Sequence, residues 1–367
     1  AQSGSVQFRA DGQYGVSLGD ASGTTDSVSI ALGTGLTTSA AVSVSTGLTA
    51  NGIETINLST NHGATAASGA NQTSTIAAFT ASTATAINLT GSSFDLTDIA
   101  TTKAVTIDGS ALTGDGAATA VGLKTAGDGV SGSTIIGSDH ADTFVITAEG
   151  QTYNGGAGDD TFTISSADPT ALTEADGTTD LVVDGGASTL GDTINFLDTT
   201  ATQALTLTDV DFTKVSNMEK LTLGNTGNLS LTTGSGFNTA FASGVTITTG
   251  ALQEASDVAI AAGLSTVDMT ITINALLIDG AGAAEDTTIT TGSGADTVTF
   301  SGDATYTAAA AGGTITIDTN AGNDAITVNV GTLATDATNL AISIDGGAGQ
   351  DTITMSKVNG GDGDATI

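Results

Sequence analysis

Gly155-Gly156-Ala157-Gly158-Asp159-Asp160-Thr161-Phe162-Thr163 decides how this chain is to be read. Three glycines in four places let the backbone turn where a side chain would obstruct it. The residues after them alternate polar with apolar, which is the start of a strand with one buried face. The frame returns in full at Gly346-Gly347-Ala-Gly349-Gln-Asp351-Thr-Ile353-Thr354. Weaker copies are Thr291-Gly-Ser-Gly294-Ala-Asp296-Thr-Val298, Thr319-Asn-Ala-Gly322-Asn-Asp324-Ala-Ile326 and Gly137-Ser-Asp-His-Ala-Asp142-Thr-Phe144. Gly185 to Asp192-Thr-Ile194 carries a two-residue insertion, and Gly360 to Ile367 has the turn with its acidic residue one place early. The spacings from Asp142 to Asp160 and from Asp324 to Asp351 read as two and three nine-residue units.

Outside these turns the chain keeps the same rhythm. Val28-Ser-Ile, Ile56-Asn-Leu, Val105-Thr-Ile, Leu205-Thr-Leu, Leu221-Thr-Leu, Val245-Thr-Ile, Ile271-Thr-Ile, Ile315-Thr-Ile and Ile342-Ser-Ile all predict strands. One stretch, 253–264, reads as a short helix. Aromatics make up 4% of the chain, too few for a large globular core. The core is expected to be thin and long, with stacked Ile, Val and Leu, each turn burying its apolar face against the next. The fold class is therefore all-β: an irregular parallel β-solenoid, a β-roll-like spiral with cation-binding Gly-Asp turns.

The 367 residues carry 39 Asp and Glu against 6 Lys and Arg, a formal net charge of −33. Six cations in that field cannot form a footprint for nucleic acid. No apolar run is long enough to span a membrane as a helix. The absence of Cys excludes disulfide staples. At most six carboxylates can pair with Lys or Arg, and the remainder repel one another unless something else neutralises them. Carboxylate and carbonyl oxygens are hard ligands that suit Ca²⁺. Half of the 33 excess charges, about 16 ions, is the ceiling that neutrality sets.

The repeated frame resembles the repeats-in-toxin nonapeptide, G-G-x-G-x-D-x-apolar-x, and residues 155–163 and 346–354 match it at every fixed position. The resemblance implies Ca²⁺ held between turns by the sixth-place Asp and by glycine-loop carbonyls. Its implied metal residues are Gly155, Gly156, Gly158, Asp160, Gly346, Gly347, Gly349 and Asp351, with Asp142, Asp192, Asp296 and Asp324 in the weaker copies. Unlike the family's tandem runs, the copies here are scattered singly, so isolated sites are expected. A second echo, Ile53-Glu54-Thr-Ile56-Asn-Leu58 and Met218-Glu219-Lys-Leu221-Thr-Leu223, resembles the strand repeat of bacterial surface-layer proteins of the Caulobacter type. Glu54 and Glu219 read first as solvated or hydrogen-bonded strand residues, with metal ligation as the alternative.

The segments read as 1–130 and 201–279, strand-rich, and 131–200 and 280–367, rich in Gly-Asp turns, within one continuous solenoid. No HExxH, GxSxG or Cys nucleophile is present, and His62 and His140 stand alone in polar turns. Asp159-Asp160 resembles a glycosidase pair less than a cation turn. The expected protein is a secreted structural subunit and not an enzyme. It would be a surface-layer or filament homo-oligomer, self-assembling with Ca²⁺ and contacting cell-surface polysaccharide or lipopolysaccharide. The alternatives are a calcium-dependent adhesin or glycan-binding stalk, and a solenoid enzyme acting on polysaccharide. The resemblance also implies type I secretion. The chain starts at Ala1 and stops inside a turn motif, which reads as a piece of a longer protein or as a chain behind a cleaved signal peptide.

Overall fold

The computed structural model describes residues 1–20, 22–33, 41–60, 73–114, 121–146, 148–166, 180–198, 204–224, 227–250, 257–274, 286–301, 313–330 and 341–357. His62, Pro169 and the turn copy at 360–367 lie outside them. Strands dominate, their pairings are parallel, and non-consecutive strands neighbour one another in each sheet, so the chain is a parallel β-solenoid. It divides into two compact units, residues 1–164 with 175–193, and residues 165–174 with 194–367.

In the first unit, one sheet runs Ser3–Phe8, Ser27–Leu32, Thr55–Thr60, Ala86–Gly91, Thr106–Leu112, Thr134–Ile136, Thr152–Asn154 and Val182–Asp184. A second runs Thr73–Ile76, Ser93–Leu96, Val121–Thr125, Ala141–Ile146 and Thr161–Ser166. Two-residue strands at Tyr14–Gly15, Leu48–Thr49, Phe79–Thr80 and Ile99–Ala100 make a short third. In-register pairing stacks like on like. Val28 lies over Ile56, Ile87 and Ile107, and Ile30 over Leu58 and Leu89. All are buried, and each such side chain contributes about 1.5–3 kcal/mol. Polar residues stack too: Asn88 Nδ2 donates to Asn57 Oδ1 at 2.8 Å.

The second unit has two alternating sheets. Leu205–Leu207, Leu229–Thr232, Val258–Ala261, Asp286–Thr290, Thr314–Asp318 and Ala341–Asp345 form one. Lys220–Gly224, Val245–Thr249, Met269–Asn274, Thr297–Ser301, Ala325–Val330 and Thr352–Lys357 belong to the other. Leu221, Ile247, Ile271, Val298, Ile326 and Ile353 make one apolar column along it. The helix expected at 253–264 is not there in its described part: Val258–Ala261 is a strand with Val258 and Ile260 buried. Period-two burial against two neighbouring strands overrides the helix propensity of Ala-rich sequence. The unit's α-helix is Ser235–Ala240, which follows the 3-10 turn Asp209–Phe212. Asp209 accepts the Gly236 and Phe237 N–H groups at 3.1 and 2.9 Å. Together these elements pack Phe212, Phe237 and Phe241 within 4.7–5.8 Å of one another, ring centre to ring centre. Among the described residues no helix is long and apolar enough to cross a membrane.

A candidate cation site in a column of buried aspartates

The turn copies that look scattered in sequence lie on top of one another. In the first unit Asp142 N–H donates to Asp160 Oδ1 at 2.7 Å, and Asp160 N–H to Asp192 Oδ1 at 2.7 Å. In the second, Met269 N–H donates to Asp296 Oδ1 at 2.8 Å, Asp296 N–H to Asp324 Oδ1 at 2.8 Å, and Asp324 N–H to Asp351 Oδ1 at 3.1 Å. Each sixth-place carboxylate thus caps the backbone of the equivalent residue one turn earlier. Leu123 N–H makes the same contact with Asp142 Oδ1. Successive rungs are 18 and 32 residues apart in the first unit and 28 and 27 in the second. The intervals read as two or three nonapeptides are therefore single turns of the solenoid. The copies are not isolated, because loops of unequal length separate them in sequence only.

The glycines close this column. Gly156 has φ 102° and Gly158 φ 124°, in the left-handed region that side chains avoid. A Cβ on Gly156 would lie 2.2 Å from the Ser138 carbonyl oxygen, and one on Gly155 would lie 2.1 Å from Asp160 Oδ2. Turn stacks on turn through Ala157 N–H to Ser138 O at 3.0 Å and Ala187 N–H to Gly156 O at 3.0 Å. In the second unit, Ala348 N–H to Asn320 O at 2.7 Å and Gly322 N–H to Ala348 O at 2.9 Å repeat the pattern around Gly346, Gly347 and Gly349. A Cβ on Gly346 would come 2.8 Å from Asp351 Oδ2. The glycine-loop carbonyls are thus partly committed to neighbouring amides. Each carbonyl oxygen retains a second lone pair.

Asp142, Asp160, Asp192, Asp296 and Asp324 are all buried. Oδ2 of Asp160, Asp296 and Asp324 has no hydrogen-bond partner in the protein. Burial pushes the Asp160 carboxyl up to about 8, with Asp142, Asp192 and Asp159 adding repulsion against the pull of the Asp142 N–H. It pushes Asp142 up to about 6, opposed by hydrogen bonds from Leu123 and Ser138. Asp296 is also raised by burial, with Asp324 and Asp268 contributing. A buried, half-satisfied anion costs free energy until it gains a proton or a cation.

No known family model, curated protein or solved structure matches the chain.

The residues' chemistry therefore decides whether Ca²⁺ fits. Oxygen donors only, an orphaned carboxylate oxygen on several rungs and a glycine against Asp160 and Asp324 suit a hard cation. Among the described residues no three Asp, Glu, His or Cys side chains converge on a point. An ion here would draw on one or two carboxylates, and otherwise on carbonyl and water oxygens.

Asp159 has a different task from the one its pairing with Asp160 suggests. Its Oδ1 accepts the N–H groups of Thr189, Leu190 and Gly191 at 2.9, 2.7 and 3.1 Å. The Leu190 amide foremost holds its carboxyl below the usual range. This carboxylate organises the inserted turn one rung along, and no sequence signal beyond the insertion marked it. The column in the second unit is also interrupted: Val245 and Met269 occupy the rungs that precede Asp296.

The raised carboxyls set the direction of pH dependence in the absence of divalent ions. Asp142 and Asp160 hold protons in the folded state that they release near 3.8 when unfolded. Their stabilising contribution is complete below about pH 4. It is lost as the pH rises through the folded values of about 6 and about 8. In chelator, the urea midpoint is expected to fall steadily from pH 5 to pH 9. A midpoint that rises over that range would contradict the burial of these groups.

Proposed function

We propose that this chain is a structural subunit of an extracellular bacterial assembly, a surface layer or a related filament, folded and assembled by Ca²⁺. The observation that carries this reading is the stack of buried aspartates with orphaned oxygens in a chain of net charge −33. Once ionised, such a column repels itself, and divalent ions would relieve it. Where free Ca²⁺ is scarce the chain would stay loose and exportable. Outside the cell, ion binding becomes folding free energy. Ions at the acidic surface would also bridge like-charged copies.

The adhesin alternative needs exposed rings on which sugars can stack. All ten phenylalanines are buried. Tyr153 is buried as well, and Tyr14, half-buried, is stacked on Phe8 at 3.9 Å. Among the described residues, which do not include Tyr306, no ring is fully exposed, and this favours the assembly reading. Electron microscopy of purified protein dialysed with and without Ca²⁺ tests it. Ordered sheets or filaments are expected with Ca²⁺ and dispersed particles in chelator. Particles that stay monomeric in millimolar Ca²⁺ and bind a glycan would overturn it.

A further inference from the structure

Asp26 reproduces the rung geometry where the sequence carries no nonapeptide. It immediately precedes the strand Ser27–Leu32, and it is 0% exposed. Its Oδ1 accepts the Gln2 N–H at 2.5 Å and lies 3.9 Å from the Ala1 amino group. Its Oδ2 is buried and has no hydrogen-bond partner in the protein. Gly23 leaves it room, since a Cβ there would lie 2.7 and 2.9 Å from the two carboxylate oxygens.

One turn on, Glu54 fills the equivalent rung. Its Oε2 accepts the Asp26 N–H at 2.9 Å. The strands that follow the two residues pair in register, Ser27 with Thr55 and Val28 with Ile56. The Glu54 carboxylate thus caps the Asp26 backbone while the Asp26 carboxylate caps Gln2, and Asp26 presents a fully buried, unpartnered oxygen. This is the sheet that begins at Ser3–Phe8, separate from the sheet of Asp142 and Asp160. The signal that could have found Asp26 is Asp-x-apolar at the head of a strand, as in Asp160-Thr-Phe162, without the glycine frame.

We propose that Asp26 and Glu54 hold one divalent cation of the hard, oxygen-preferring class, which Ca²⁺ fits, at a corner of the solenoid remote in sequence from every Gly-Asp nonapeptide. Asp26 Oδ2 and the Glu54 carboxylate are the anionic donors. Backbone carbonyls and water complete the shell. The inference rests on the same cation chemistry as the proposed function, but on different residues.

Equilibrium dialysis of the full chain against Ca²⁺ separates the two. The variants are Asp26→Asn, Glu54→Gln, and a triple variant with Asp160, Asp296 and Asp324 each replaced by Asn. Asn and Gln keep an oxygen for the backbone N–H and remove the charge. Asp26→Asn and Glu54→Gln are each expected to bind one ion fewer than the parent, and the triple variant to retain that ion. If only the triple variant loses ions, the nonapeptide reading stands and this one falls. If only Asp26→Asn and Glu54→Gln lose one, the reverse holds. Should Asp26→Asn fail to fold by circular dichroism, half-buried Glu54 carries the test, and a parental ion count in Glu54→Gln overturns the proposal.

Discussion

Phe162→Ala is expected to cost about 3–5 kcal/mol of stability. Phe162 is fully buried, and its ring stacks on Phe144 at 4.9 Å with the planes 20° apart. Phe144 in turn meets Tyr153 edge-on at 5.7 Å. A core of this width has no second layer to collapse into the space, so the cavity persists and adds to the lost transfer free energy. The neighbouring turns each lose an interface as well, because a solenoid's stability is a sum over adjacent repeats. Equilibrium urea unfolding measures the loss. Leu190→Ala is the control: Leu190 is 78% exposed and should change stability by less than about 0.5 kcal/mol. If Phe162→Ala behaved like Leu190→Ala, the stacked core described here would be wrong.

The second large effect is a reversal of order between Asp160→Asn and the parent. Asp160→Ala removes the acceptor for the Asp142 N–H and leaves that buried donor unsatisfied. It is expected to be about 1–3 kcal/mol less stable than Asp160→Asn whether or not Ca²⁺ is present. Asp160→Asn keeps the acceptor and deletes the charge. In chelator above pH 8, where the parent's Asp160 is ionised against Asp142 and Asp192, the Asn variant should be the more stable. Each unit of pKa elevation relieved is worth about 1.4 kcal/mol. In millimolar Ca²⁺ the order should invert, because the parent gains an ion that Asn cannot hold. Urea midpoints of the three proteins under both conditions give the answer. Asn below parent in both conditions would mean that the charge is useful without a cation. Asn above parent in both would mean that no ion comes to this rung.

The strands were legible because parallel stacking buries one face and period two is written plainly, as in Val28-Ser-Ile30 and Ile315-Thr-Ile317. The glycine turns were legible because Gly156 and Gly158 occupy backbone conformations closed to other residues. What sequence could not show was register. Asp160 and Asp192 are 32 residues apart and share a hydrogen bond, and nothing local announces it. Asp26 was invisible for a related reason. Its burial depends on Gln2 and Glu54, one turn away on either side, while its own neighbours carry only one glycine. The stretch 253–264 misled because Ala-rich sequence favours a helix until two flanking strands demand a third. Asp159 misled because its partners belong to the next turn.

The proposed function requires that a cation neutralise the aspartate column and that its binding be coupled to folding. The most direct test is urea unfolding of the unaltered chain at neutral pH, followed by far-UV circular dichroism, across a Ca²⁺ titration that begins in chelator. The midpoint is expected to climb with the logarithm of free Ca²⁺, since an ion bound by the folded state alone stabilises it by mass action. A midpoint identical in chelator and in millimolar Ca²⁺ would contradict it.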